Sequence, residues 1–443
     1  MDPMSPPQAT PLLTPLDLRG ATGDMARHLP EPPASDDGPA ASVREILALV
    51  KASGDTALRD LTERFDGVRV GDLRVPPEAV SGALDRIPAK LREALEVAHG
   101  NIVDYHRAQL HPDVRYEKDG IVVREARRAV DRAGLYVPGG RAPLASTVLM
   151  TAAPARVAGV GALAMCSPPG PDGAIADAIL AAAAIAGVDE VYRVGGAQAI
   201  GALAYGTESI PAVDVIVGPG NRYVAIAERL VAGEGAVGVP SAFTGPSEVA
   251  VVADDSTPPE YAAVDLVVQA EHGPDGLAYL ITWSPDAAKA IAAEVERITA
   301  ASPRRAEIES TLTRGGFSVL VDGPEQAMAV ANAVAAEHLE LLNDDPESLV
   351  PLLRSAGAVF LGLWAPASLG DYAAGPNHVL PTARSARFGS ALRVDDFCKF
   401  IHLVDVQRSA LERLAPHVAA MAESEGLAAH ADSVLMRAGS RTS

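Results

Sequence analysis

The chain's strongest constraint on its own fold is an alternation of short apolar runs with Ala-rich helical stretches. Runs such as "GLYV", "GALAMC", "EVYRV" and "VDVIV" begin near Gly134, Gly161, Glu190 and Val213. A second set, "EVAVVA", "AYLIT", "FSVLV" and "AVFLG", begins near Glu248, Ala278, Phe317 and Ala358. Strand-length apolar runs separated by helices are the pattern of βαβ units and a parallel sheet. The pattern predicts an α/β protein with two open, mostly parallel, Rossmann-like sheet domains and small helical terminal elements. Two blocks of similar size suggest a duplication, although no residue-level repeat joins them.

Flanking segments read differently. Residues 1–40 are Pro-rich, with "LPEPPASDDGPAAS" reading as a linker or arm. From Ser42 to about Leu110 the spacing is helical, opening on a Ser cap. The segment 392–443 carries "SALERLAPHVAAMAESEGLAAHADSVLMR" and reads as an appended helical extension.

Charge and cysteine content narrow the function. Subtracting 57 acidic from 37 basic residues leaves −20, which repels phosphate backbones and anionic membrane surfaces. Nucleic acid and membrane are therefore not expected partners. Cys166 and Cys398 form no zinc-knuckle or disulfide pattern, which fits a reducing compartment. No secretory signal and no apolar run of about 18 residues is evident, so a soluble, cytoplasmic protein is expected.

Several polar residues stand where packing alone does not ask for them. Glu337-His338 lies in "EQAMAVANAVAAEHLELL", which is apolar on nearly every helical face and reads as a buried helix. Desolvation should raise the carboxyl and lower the imidazole, bringing both toward neutrality as an acid/base pair suited to catalysis. Taken alone, the segment is explained as readily by a core pair held through hydrogen bonds.

Gln269 and His272 share one face near the end of a helix expected over 258–273, where they could form half of a metal site or an ordinary solvated cap. Asp371 and His378 fall in the Gly/Pro loop "LGDYAAGPNHVLPT", and Glu425 and His430 fall near the carboxyl end. A mixed nitrogen and oxygen set without thiolate favours zinc, manganese or cobalt. No H-E-x-x-H metalloprotease pattern is present. Gly195-Gly196 and Gly218-Pro219-Gly220 each end a strand and open a helix, where free amides attract anions; neither loop matches G-x-G-x-x-G, and either one alone reads first as a tight turn in which Gly supplies unusual dihedrals. Ser247 precedes another strand, and Tyr136 stands at the rim of a Pro-Gly-Gly turn.

Together the segments "YVPGGRAPLASTVLMTAAPARVAG", "VGGAQAIGALAYGT", "VGPGN", "GPSEV", "QAEHGPDG", "AAEHLEL", "GDYAAGPNHVLPT" and "AESEGLAAHADSV" closely resemble the histidinol dehydrogenase family, in the family's order. The resemblance implies oxidation of L-histidinol to L-histidine with NAD as cofactor. It implies a zinc site from Gln269, His272, Asp371 and His430, and Glu337 and His338 as the catalytic pair. Ser247, His378 and Glu425 would join His338 and the four metal ligands in binding substrate, while Tyr136, Gln198 and Asn221 would contact NAD. It further implies a homodimer whose carboxyl-terminal extension crosses over, so that His430 and Glu425 complete the neighbour's site. On this basis 41–135 with 248–391 would form the domain of the metal and catalytic pair, and 136–247 the NAD side. The rivals are a relative acting on a different amino or sulfonated alcohol, a metal-binding regulatory protein, and a metal-dependent hydrolase.

Overall fold

The computed structural model describes residues 11–30, 38–139, 143–241, 247–271, 273 and 276–439. The chain enters through strand β1 (Thr14–Asp17), followed by helices α1 (Ala40–Asp66), α2 (Pro77–Arg86) and α3 (Ala89–Arg107) and the hairpin β2 (Val114–Lys118) and β3 (Ile121–Ala129). A first alternating run comprises β4 (Arg132–Tyr136), α4 (Ala145–Ala158), β5 (Ala162–Ser167), α5 (Asp177–Ala186), β6 (Glu190–Arg193), α6 (Gly196–Tyr205), β7 (Val215–Val217) and α7 (Arg222–Gly233). A second comprises β8 (Glu248–Ala253), α8 (Pro259–Ala270), β9 (Leu277–Thr282), α9 (Pro285–Ala301), α10 (Arg305–Gly315), β10 (Gly316–Leu320), α11 (Pro324–Val334), β11 (His338–Leu341), β12 (Ala358–Leu361) and α12 (Ala367–Tyr372). The tail holds β13 (Cys398–Val406), α13 (Arg408–Ser424) and α14 (Ala428–Arg437).

Both runs build parallel sheets, as the alternation predicts. The small sheet has the order β6-β5-β4-β7 and the large one β1-β10-β9-β8-β11-β12. Within each run the third, second, first and fourth strands lie side by side, which is the Rossmann half-fold order. That shared order is the structural counterpart of the two similar blocks. Every residue of β8 and β9 is buried, because helices cover both faces of a parallel sheet.

Four boundaries differ from the sequence reading. The arm is not wholly separate, since β1 pairs with β10 and extends the large sheet. Helices α1 to α3 cover the small sheet rather than joining the large one: Val43, Ile46, Leu47 and Val50 of α1 pack with α6 and α7, and α2 and α3 pack with α4 and α5. An amphipathic stripe announces a buried face but not which sheet receives it. Pro39 occupies the cap position of α1, with Ser42 inside the helix. The carboxyl-terminal extension is not all helical, because β13 pairs antiparallel with β3 along its whole length, and β3 with β2. Gly426, at φ +74°, then breaks the expected single helix into the pair α13 and α14.

Candidate active site

The neighbouring strands β8 and β11 set the centre of the site at their amino ends. The expected helix through Glu337-His338 stops at Val334, where Ala335 turns left-handed at φ +50°. Glu337 then follows in a connection and His338 opens β11, in register with Val249 of β8. A helix followed by a buried parallel strand gives the same unbroken apolar text as one buried helix. The pair stays buried as expected, with Glu337 8% and His338 3% exposed.

Each side chain of the pair has its own holder. Glu337 Oε2 accepts the Glu248 backbone N–H at 3.1 Å, and the Ser247 hydroxyl donates to the same carboxylate. His338 Nε2 lies 3.0 Å from Asp371 Oδ1. Its Nδ1 is 3.6 Å from Glu337 Oε2 and has no aligned partner. The ring stacks against Phe360, centroid to centroid 5.9 Å. Gly370 permits this arrangement, since a Cβ there would come within 2.4 Å of the Phe360 ring that Asp371's helix packs upon.

Burial pushes the Glu337 carboxyl up to about 7, against the pull of the charged His338 beside it. Burial and the Glu337 charge likewise lift Glu248 to about 8. His338 departs from the sequence expectation. Burial opposes its charge, yet the Asp371 hydrogen bond and the charges of Glu337 and Asp371 outweigh that and raise it to about 9. Two carboxylates around one imidazole therefore override desolvation.

His378 closes the site from the other half of the molecule. Its Nδ1 lies 2.9 Å from the Asp371 carbonyl, which can only accept, so Nδ1 carries the proton. Nε2 then faces the Thr147 hydroxyl of α4 at 3.3 Å, tying the large-sheet half to the small-sheet half. The preceding Asn377 donates to the Met150 carbonyl of α4 at 2.6 Å, fixing the same junction.

The expected metal ligands are only partly assembled within one chain. Gln269 is buried in the last turn of α8, and its Nε2 has no hydrogen-bond partner. Turning the side-chain amide over by a half rotation would put its carbonyl oxygen at that orphan position. Asp371 is placed by α12, while His272 lies outside the described residues. His430 and Glu425 are exposed on the α13–α14 pair, whose chief packing is between its own two helices. Among the described residues no group of three or more His, Cys, Asp or Glu is arranged to hold a metal.

The loops expected to meet NAD do gather, at the carboxyl ends of β4, β6 and β7. Strand order reverses between β4 and β7, the place where open α/β sheets receive ligands. Tyr136 is buried and its hydroxyl accepts the Gly196 N–H at 3.0 Å. Gln198 is buried against that glycine, and Asn221 Oδ1 caps α7 by accepting from Tyr223 at 2.9 Å and Val224 at 3.2 Å. Gly218, at φ +128°, leaves no room for a side chain, because a Cβ would meet the Tyr136 carbonyl at 2.1 Å. Residues 140–142 and 242–246 of the adjoining loops lie outside the described residues.

Glu248, Glu340, Asp265 and Thr147 were missed by sequence reasoning. Glu248 carried a usable signal, a charged residue at the head of a strand otherwise apolar on both faces.

Comparison with known proteins places these features in context. Residues 31–438 match the sequence profile of a family described as histidinol dehydrogenase. A histidinol dehydrogenase of Synechococcus sp. is 48% identical over 400 residues, covering 90% of this chain and 92% of its own. One of Pseudomonas aeruginosa is 46% identical over 430 residues, covering 95% and 96%. The crystal structure of histidinol dehydrogenase from Elizabethkingia anophelis superimposes with a TM-score of 0.92 at 34% identity, covering 98% of this chain and 99% of that one.

Proposed function

Because the chain belongs to the histidinol dehydrogenase family, we propose that it oxidises L-histidinol to L-histidine through a bound aldehyde, with two NAD as hydride acceptors. The observation that carries the chemistry is the buried Glu337–His338 pair, held by Ser247, the Glu248 amide and Asp371.

In the first step an O–H and a C–H bond of the alcohol are broken. Asp371 Oδ1 accepts the hydrogen bond donated by His338 Nε2–H, so the lone pair of the neutral ring sits on Nδ1, 3.6 Å from Glu337 Oε2. Nδ1 takes the alcohol proton while hydride passes to NAD, leaving the aldehyde. In the second step Glu337 takes a proton from water as the water oxygen bonds to the aldehyde carbon, and His338 returns the proton it holds to the carbonyl oxygen, giving the hydrate. The hydrate then loses a proton to His338 and a hydride to a second NAD, giving the acid. One water enters, and two hydrides and two protons leave.

Gln269, His272, Asp371 and His430 of the partner subunit would hold a zinc ion. The fit rests on their mixed nitrogen and oxygen donors and on the orphaned, buried Gln269 amide. When bound, zinc would fix the substrate's imidazole and amine and offset the Asp371 charge that now raises His338. Ser247, His378 and Glu425 of the partner subunit would complete the substrate pocket, with Tyr136, Gln198 and Asn221 shaping the NAD side.

Sharing of sites between subunits is supported by what the tail exposes. Phe400, Ile401 and Val404 of β13 and Met421 and Met436 of the helix pair are large apolar side chains left at the surface, where a second copy would cover them. Mixing inactive His430→Ala chains with inactive Glu337→Gln/His338→Ala chains should therefore restore part of the activity. No recovery in proven heterodimers would argue against the exchange. A cytoplasmic setting accords with the free thiols of Cys166 and Cys398, and no described helix is long and apolar enough to cross a membrane.

Incubating the protein with zinc, NAD and L-histidinol tests the function itself. Two NADH should appear for each histidine formed. A product left at the aldehyde, or turnover of other amino alcohols but not histidinol, would contradict it.

A further inference from the structure

Beneath the catalytic pair lies a second buried acidic group that the mechanism does not use. Glu340 follows His338 by two residues in β11, so the two side chains point to the same face of the sheet. It is 0% exposed. Its Oε1 accepts the backbone N–H of Ala367 at 2.9 Å, the first residue of α12. That helix carries Asp371, which in turn holds His338. The Asp265 carboxyl of α8 lies within hydrogen-bonding reach of Glu340. Asp265 stands four residues before Gln269, hence on the same face of α8. Glu340 thus touches both helices that bear described members of the ligand set, and shares a strand with the catalytic imidazole.

We infer that Glu340, with Asp265, is a positioning residue that holds α12 and α8 so that Asp371 and Gln269 face one metal ion. This rests on the metal reading given above. The chemistry of the contact is specific. Burial raises both carboxyls; the hydrogen bond between them raises Glu340 further and works against the rise of Asp265, so Glu340 keeps the shared proton. A protonated Glu340 donates to Asp265 and accepts from Ala367, and glutamine has the same shape with a donor and an acceptor in the same places. The site therefore needs this hydrogen-bonding pattern rather than a charge.

Zinc affinity of the full-length protein, measured by competition with a chromophoric chelator and paired with thermal melting, tests this. Glu340→Ala strips the Ala367 N–H of its acceptor and should weaken zinc binding by about 10- to 100-fold, the usual cost of losing a group that supports a metal ligand. Glu340→Gln should bind zinc as the wild type does. Asp265→Ala, at a half-buried position, should weaken binding in the same direction even if Glu340→Ala does not fold. Unchanged affinity in folded Glu340→Ala or Asp265→Ala would overturn the inference, as would a Glu340→Gln protein as weak as the alanine variant. Wild-type protein that binds no zinc, or binds it undiminished with Gln269→Ala, would overturn the metal reading and this inference with it.

Discussion

Glu337→Gln should slow oxidation of the aldehyde by about 10²- to 10⁴-fold, the range for loss of a positioned general base, and slow oxidation of the alcohol far less. The asymmetry follows from what glutamine keeps. Its carbonyl oxygen still accepts the Glu248 amide, as Glu337 Oε2 does at 3.1 Å, and can still receive the Ser247 hydroxyl. It cannot take a proton from water, and water enters only in the second step. The charge of Glu337 also helps to raise His338, so its removal lets the imidazole give up its proton more readily and spares the first step. Single-turnover NADH formation from histidinol and from histidinaldehyde separates the two. Equal loss with both substrates would contradict the role assigned to Glu337.

Removing the metal should do at least as much damage, and to both steps. Correct placement of reacting groups is worth about 10⁵–10⁸ M in effective concentration, more than one base contributes. Nothing in the Glu337–His338 pair itself grips an imidazole or an amine. Without the ion, Asp371 keeps its full charge against His338, whose proton is then held more firmly than a base for the alcohol can use. Prolonged dialysis against a chelator should abolish turnover with both substrates while the melting transition persists, and added zinc should restore it. Retention of most of the activity by metal-free protein would contradict the placement argument.

The two α/β blocks were legible because parallel strands buried on both faces leave apolar runs that helices must separate. The order within each sheet was not, since neighbours are chosen by the twist and handedness of crossovers rather than by local text. The pair Glu337-His338 was legible as a polar island. Its helix was not real, because one left-handed residue, Ala335, converts helix to strand without any polar or glycine marker. The direction of His338's shift was hidden for a different reason. Asp371 is 33 residues away in sequence, and only folding sets its carboxylate 3.0 Å from the ring. Glu340 and Asp265 were overlooked similarly, since a hydrogen bond from one strand to the first amide of a distant helix has no sequence period. The strand β13 was missed because its mostly exposed residues give no burial pattern to read.

Anomalous diffraction at the zinc edge, from crystals grown with zinc and L-histidinol, tests the central claim most directly. One peak per chain is expected, bounded by Gln269, His272 and Asp371 and by His430 of the partner subunit, with Glu337 and His338 flanking the substrate's alcohol carbon. A peak away from Asp371, or an alcohol carbon out of reach of both side chains, would contradict the account.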